Sequence, residues 1–254
     1  MKLIFLFLLS LMTQVPSNEV KSGVYAWSAL PVKISQDRES RKIMEGTSPH
    51  FEFLEMHATT QAKGAAPGRP HAQQDKEEVI IVKEGTMRFT IDEESAILGP
   101  GSVILVPPRA MQSLENIGDG PLTYYVMVFR SKKPMNITRG QAAGGKLLLN
   151  ADSLEFRSTT KGGRISYFDR PTAMCGKFEI HVTQLNQKGP SHEPHAHVDS
   201  EITLVIEGET EMTIEGEEYK GVAGDIYFMK SDEKHGIRNA SDKSCKYFAI
   251  RWRE

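Results

Sequence analysis

Cysteine is scarce in this 254-residue chain, and neither sign of charge is in marked excess. Two cysteines, Cys175 and Cys245, are too few for a disulfide-stapled scaffold, and no Cys-x-x-Cys pair is present for zinc or thiol exchange. Lys and Arg number 31 against 33 Asp and Glu, a formal net charge of −2. No basic patch interleaves with aromatics, so the electrostatic footprint of a nucleic-acid binder is missing. No G-x-S-x-G elbow or Walker loop occurs, which removes the usual serine-hydrolase and nucleotide-hydrolase motifs. Beyond the N-terminus, no stretch of ten or more residues carries a helical period.

The one long apolar run is Leu3 to Met12, preceded by Lys2. It is shorter than the roughly 20 residues a bilayer span needs. Val15 and Ser17 are small residues placed three and one before a cut after Ser17. Residues 1–17 are therefore expected to be a signal peptide, and the mature chain to be exported (periplasmic or secreted) without a membrane span. An uncleaved anchor is the alternative. Export permits a disulfide between Cys175 and Cys245; two buried free thiols are the simpler expectation.

What the chain does have is short β-branched or aromatic runs. Val79 to Val82, Ser102 to Val106, Leu122 to Phe129, Ile202 to Ile206 and Lys246 to Trp252 are bounded by Gly, Pro, Asp or Asn. Glu207 to Glu218 alternates acidic residues with Thr, Met and Ile, the pattern of a half-solvated hairpin turning near Glu215-Gly216. Many short strands with frequent turns predict an all-β sandwich or barrel.

The chain is also a repeat. Shifted by 123, Glu78 falls on Glu201, Gly85 on Gly208, Gly101 on Gly224, Gln112 on His235, Asn116 on Asn239 and Phe129 on Trp252. Upstream of Glu78 the shift is 124, so His57 falls on His181, His71 on His195 and Gln73 on His197. Two modules follow, residues 18–132 and 147–254, joined by a polar, glycine-rich linker over 133–146.

Within the second module, Gly189 to Gly208 reads GPSHEPHAHVDSEITLVIEG. Residues i and i+2 of a strand share a face, so His195 and His197 can offer two imidazoles to one cation. Glu201 can supply a carboxylate, and His235, from the stretch Gly224 to Asn239, a further imidazole. Such a set suits a divalent transition metal.

These spacings resemble the cupin superfamily. Its first motif reads G, five residues, H-x-H, three or four residues, E, six residues, G, and Gly189, His195, His197, Glu201 and Gly208 fit it. Gly224, His235 and Asn239 fit the second motif, in which Lys230 and Asp232 replace a Pro and a Gly. The resemblance implies two tandem jelly-roll β-barrels packed on each other, with a further homodimer left open. It implies one divalent metal per chain (Mn, Fe, Ni, Cu, Co or Zn) on His195, His197, Glu201 and His235. The first module presents His71, Gln73, Glu78 and Gln112 at the same places. Amides are poor ligands for a borderline metal, so that site is expected to be empty or weak.

Glu201 and His181 are the candidate acid–base groups. For His181 a structural hydrogen bond is the competing reading, because His57 persists in the module that has lost its imidazoles. Arg251 and Tyr247 share a strand face; Arg251 is expected toward solvent or an interface, with a carboxylate near the metal as the alternative. Met174, Phe178 and Ile180 read as core. Two glycosylation sequons start at Asn136 and Asn239. The resemblance implies a metal-dependent enzyme, dioxygenase- or isomerase-like, acting on a small oxygen-rich substrate. A non-catalytic protein holding a sugar, small acid or metal, or a storage role, are its competitors.

Overall fold

The computed structural model describes residues 18–254; the expected signal peptide lies outside the described residues. Strands dominate, as the runs of β-formers require. One seven-stranded sheet orders Leu147–Leu149, Val103–Val106, Glu77–Glu84, Leu122–Ser131, Phe51–Gln61, Arg38–Gly46 and Val32–Ile34. Its counterpart orders Gly23–Tyr25, Ile226–Met229, Ser200–Glu207, Cys245–Arg253, Lys177–Leu185, Gly162–Arg170 and Phe156–Thr159. Each is backed by a smaller sheet, of three strands in the first module and four in the second. The modules are thus jelly-roll sandwiches whose strand pairing does not close into a complete ring.

The two large sheets pack face to face. Phe51 stacks on Trp252 with ring centroids 5.3 Å apart and on Phe129 at 4.8 Å, while Phe129 stacks on Phe178 at 5.3 Å. A single apolar cluster spans both modules here, and separate clusters fill each sandwich. The central strands are therefore buried on both faces, which is why they read as continuous apolar runs. Period-2 alternation then sorts their side chains. On Cys245–Arg253, Phe248, Ile250 and Trp252 point to the partner module, and Tyr247 and Arg251 into their own sandwich. Met174, Phe178 and Ile180 are buried in the shared core, as expected.

Two strands cross the module boundary. Gly23–Tyr25 pairs antiparallel with Ile226–Met229 of the second module, and Leu147–Leu149 pairs with Val103–Val106 of the first. Each module's leading strand thus completes the other module's sheet. The connecting residues 133–146 hold a short helix, Ile137–Ala142, capped by the Asn136 side chain and lying so close to Ala173 that only Gly140 fits between them. Buried Glu77 ties the modules further by accepting from Thr172 Oγ1 and from the backbone N–H groups of Ala173 and Met174.

The acidic hairpin forms as expected. Glu209–Ile214 pairs with Glu217–Val222, burying Thr210, Met212 and Ile214 and leaving Glu209 exposed. Glu215 and Gly216 carry φ values of 49° and 89°, the left-handed pair of a type I′ turn. Cys175 and Cys245 are both free and buried, in different apolar clusters. The Asn239 side chain is fully buried and donates to Leu185 O and Lys243 O, which withdraws that sequon from the surface.

Candidate metal centre

His195 and His197 lie on the segment leading into the strand Ser200–Glu207, and His235 opens the strand His235–Asn239. Reciprocal backbone hydrogen bonds between His195 and His235, both 2.9 Å, bring the two motifs together. The ligand nitrogens of His195, His197 and His235 fall within 4.8 Å of one another. Glu201 Oε2 lies 3.3 Å from His197 Nε2 and 3.6 Å from His235 Nε2. All four residues expected from the sequence therefore converge.

The chemistry of these donors fits a metal. His197 Nδ1 lies 2.9 Å from Asp199 O, and His235 Nδ1 lies 2.8 Å from Glu233 O. A carbonyl only accepts, so each Nδ1 carries its proton and each Nε2 is left as the ligating atom. Both Nε2 atoms are buried and find no hydrogen-bond partner among the described residues. Buried polar atoms are nearly always satisfied, and two unpartnered imidazole nitrogens beside one carboxylate form a donor set that would suit a cation. Burial pushes the Glu201 pKa up, but the adjacent His197 and His235 imidazoles and the charge of Arg251 outweigh it and hold the carboxyl well below its usual range. Burial and the neighbouring His192, His235 and His197 hold His195 below the ordinary imidazole value, which favours its neutral, ligating form. For His235, burial acts downward but Glu201 raises the value overall, so a metal here competes with a proton.

Three neighbouring strands extend the site. Arg251 is the register partner of Glu179 on one side and of Glu201 on the other. The expectation that Arg251 faces solvent or an interface is wrong. Ile250 and Trp252 occupy the interface face, so alternation turns Arg251 inward, where it donates to Asp199 Oδ2 at 2.9 Å. Glu179 sits beside His181, with Oε1 3.0 Å from His181 Nδ1, and accepts from Arg164 at 2.6 Å. The adjacent His181 imidazole leads the effects that hold the Glu179 carboxyl down at about 2 against the pull of burial, with Arg164 and Arg251 assisting. A cleft of about 520 Å³ collects Arg164, His181, His195, Glu201, Tyr247 and Arg251 along its wall. Sequence reasoning did not find Arg164, Glu179 or Asp199. The repeat carried a trace of Glu179, since Glu55-x-His57 and Glu179-x-His181 align.

The first module shows what replaces a metal. Gln73 Nε2 donates to Glu78 Oε1 at 2.8 Å, and Gln112 Nε2 donates to Glu78 Oε2. His71 is drawn into the same cluster, with its Nε2 3.5 Å from Gln112 Nε2. The four residues come together as expected, but amide protons satisfy the carboxylate that would otherwise face an ion. Glu55 and His57 repeat the second module's pair at 2.9 Å. Beside the cluster, a cavity of about 310 Å³ has Val128 where the second module has Arg251.

A family model described as a cupin domain matches residues 57–129 and again 181–251. No curated protein matches the sequence. Among solved structures, AerE from Microcystis aeruginosa has a TM-score of 0.68 at 16% identity, covering 88% of this chain and 96% of that one. A variant of oxalate decarboxylase from Bacillus subtilis has a TM-score of 0.67 at 15% identity, with 92% of this chain and 78% of that one covered. The protein Ylba from E. coli follows at 0.67 and 14%, covering 91% and 92%. At such identity these likenesses concern the fold. With both motif pairs matched in tandem, this chain belongs to the cupin family as a two-module member.

Proposed function

We propose that the second module is a metal-dependent catalytic centre for a small oxygen-rich, anionic substrate. One divalent transition ion per chain would be held by His195, His197, Glu201 and His235. The observation that carries this reading is the pair of buried Nε2 atoms, each fixed in its ligating tautomer and each without a protein partner. A bound metal supplies Lewis acidity toward a substrate oxygen.

The protein's own groups supply the rest. Arg164 and Arg251 line the cleft and offer charge-assisted donors to carboxylate or enolate oxygens. Their counterparts in the first module, by the same register, are Ser40 and Val128. These two positions thus carry a cation only in the module with the complete donor set, while the first module's cavity has Lys76 elsewhere on its wall. Glu179 Oε1 stands 3.0 Å from His181 Nδ1, so Nε2 would be the atom that gives or takes a proton. Glu201 is the second candidate proton acceptor. The persistence of Glu55 and His57 in the amide-filled module supports a competing reading, in which this pair is structural and the cleft only binds. Export rests on the N-terminal sequence and belongs to the same proposal.

The test is turnover. Metal-loaded protein is assayed for oxygen uptake and for carbon dioxide release with enediols, flavonols and small dicarboxylates, beside His181→Gln and His235→Ala. Turnover lost in His235→Ala supports the reading. Binding of a substrate without turnover at any metal would replace it with the binding role.

A further inference from the structure

The second cupin motif departs from its family at Lys230 and Asp232, and the structure gives those departures a use. Asp232 sits in the left-handed region at φ 64°, and its equivalent in the first module, Arg109, sits at 71°. The turn is therefore kept without glycine. Lys230 replaces a proline, which Pro107 retains in the first module, and so gains a backbone N–H. That N–H donates to Glu233 Oε2 at 2.9 Å.

Glu233 is the hub of the turn. Its carbonyl fixes His235 Nδ1 at 2.8 Å. Its carboxylate also accepts from Ser22 Oγ, more than two hundred residues away in sequence. Next to Ser22, the strand Gly23–Tyr25 is paired to Ile226–Met229, and Trp27 N–H donates to Asp225 Oδ1 at 2.8 Å. Lys230 Nζ reaches Glu19 Oε2 at 3.0 Å. The same turn holds the other motif: Asp232 N–H donates to His197 O and Ser231 Oγ to Val198 O. In the first module the equivalent of Glu233 is Ala110, and the equivalent of Ser22 is Lys146, so this clamp is absent there.

We infer that the N-terminal segment Glu19–Tyr25 is a positioning strap for the metal centre, with Ser22 acting through Glu233 on the orientation of His235. The inference rests on the proposed metal site. It gives the strand exchange a role: the segment that leads the first module orders a ligand in the second. Groups that orient a ligating imidazole typically change metal affinity 10–100-fold when removed. Ser22 acts one bond further out, so an effect near the lower end follows.

The test is cobalt(II) titration of the full chain, followed by the visible d–d spectrum and chelator competition. Ser22→Ala and Glu233→Gln are compared with Ser22→Thr, which keeps the hydroxyl, and with Lys146→Ala, which alters the equivalent position of the other module. Weakening by roughly ten-fold in Ser22→Ala and Glu233→Gln, with a shifted spectrum and near wild-type affinity in Ser22→Thr and Lys146→Ala, supports the strap. Wild-type affinity in Ser22→Ala and Glu233→Gln overturns it while leaving the metal site standing. Equal losses in all four variants also overturn it, as general destabilisation. Failure of the wild-type chain to bind cobalt overturns the metal reading and the strap together.

Discussion

Arg251 stands opposite Glu201 in the register of neighbouring strands, and Val128 stands opposite Glu78 in the equivalent register of the other module. The repeat has kept its carboxylate in both halves and its cation in one. Arg251 Nε lies 3.8 Å from Glu201 Oε2, and the same guanidinium serves Asp199 and Glu179. One side chain thus balances three acids around the centre.

Exchanging Arg251 for the residue of the other half tests that balance. Arg251→Val leaves Glu179, Glu201 and Asp199 with fewer partners in a largely buried setting. Removing one member of a buried ion pair typically costs about 3–5 kcal/mol; Arg251 is a quarter exposed, so about 2–3 kcal/mol is expected. Urea denaturation of metal-free protein reads it, and Arg251→Lys should recover part of the loss.

Acid unfolding tests Glu179. Its carboxyl titrates at about 2 in the folded protein against an ordinary 4.5. A depressed folded value adds stability that is present above the unfolded pKa and is lost as pH falls toward 2. Arg164, its nearest partner, is almost half exposed, so solvent screening reduces the contribution to about 1–2 kcal/mol. Metal-free Glu179→Gln should therefore lose less stability than wild type between pH 5 and 2 by about that amount, read by denaturant melts across the range. Identical pH slopes would show that Glu179 is not held down.

Restoring the imidazoles tests why the first site differs. Gln73 and Gln112 present N–H donors to Glu78 where a metal needs lone pairs. Gln73→His with Gln112→His returns the full donor set beside His71 and Glu78. A second metal equivalent per chain is the expected result, measured by elemental analysis after dialysis. Binding still limited to one equivalent would place the block elsewhere, with Val128 the next residue to exchange.

Gly208 and Gly85 test the turns that follow the first motif. Both lie in the left-handed region, at φ 76° and 86°. A Cβ at Gly208 would meet Ser244 O at 2.4 Å, and one at Gly85 would meet Pro121 O at 2.3 Å. Backbone cannot yield as a side-chain tip can. Gly208→Ala and Gly85→Ala should each destabilise by about 2–4 kcal/mol in thermal or denaturant melts.

Much of this was legible in the sequence because it depends on spacing along one chain. Runs of β-branched and aromatic residues announce strands, and the spacings among His195, His197, Glu201 and His235 carry the ligand set. The amides at Gln73 and Gln112 were visible for the same reason. What depends on pairing across the sheet was not. Arg251 was assigned the wrong face because its strand is buried on both sides, so apolar content does not reveal which face is interior. Arg164 reaches the cleft only through its register with Thr183, and Glu179 through its register with Arg251. The strand exchange at Gly23–Tyr25 and Leu147–Leu149 escaped as well, since short strands carry no mark of which sheet they complete.

The central claim is an asymmetric pair: a metal centre in the second module, an amide-satisfied carboxylate in the first. Metal per chain measures it most directly. Wild-type protein prepared without chelator and loaded with each first-row divalent ion should retain one equivalent, and His195→Ala with His235→Ala should retain none. Two equivalents in the wild type, or none with any ion, would contradict the account.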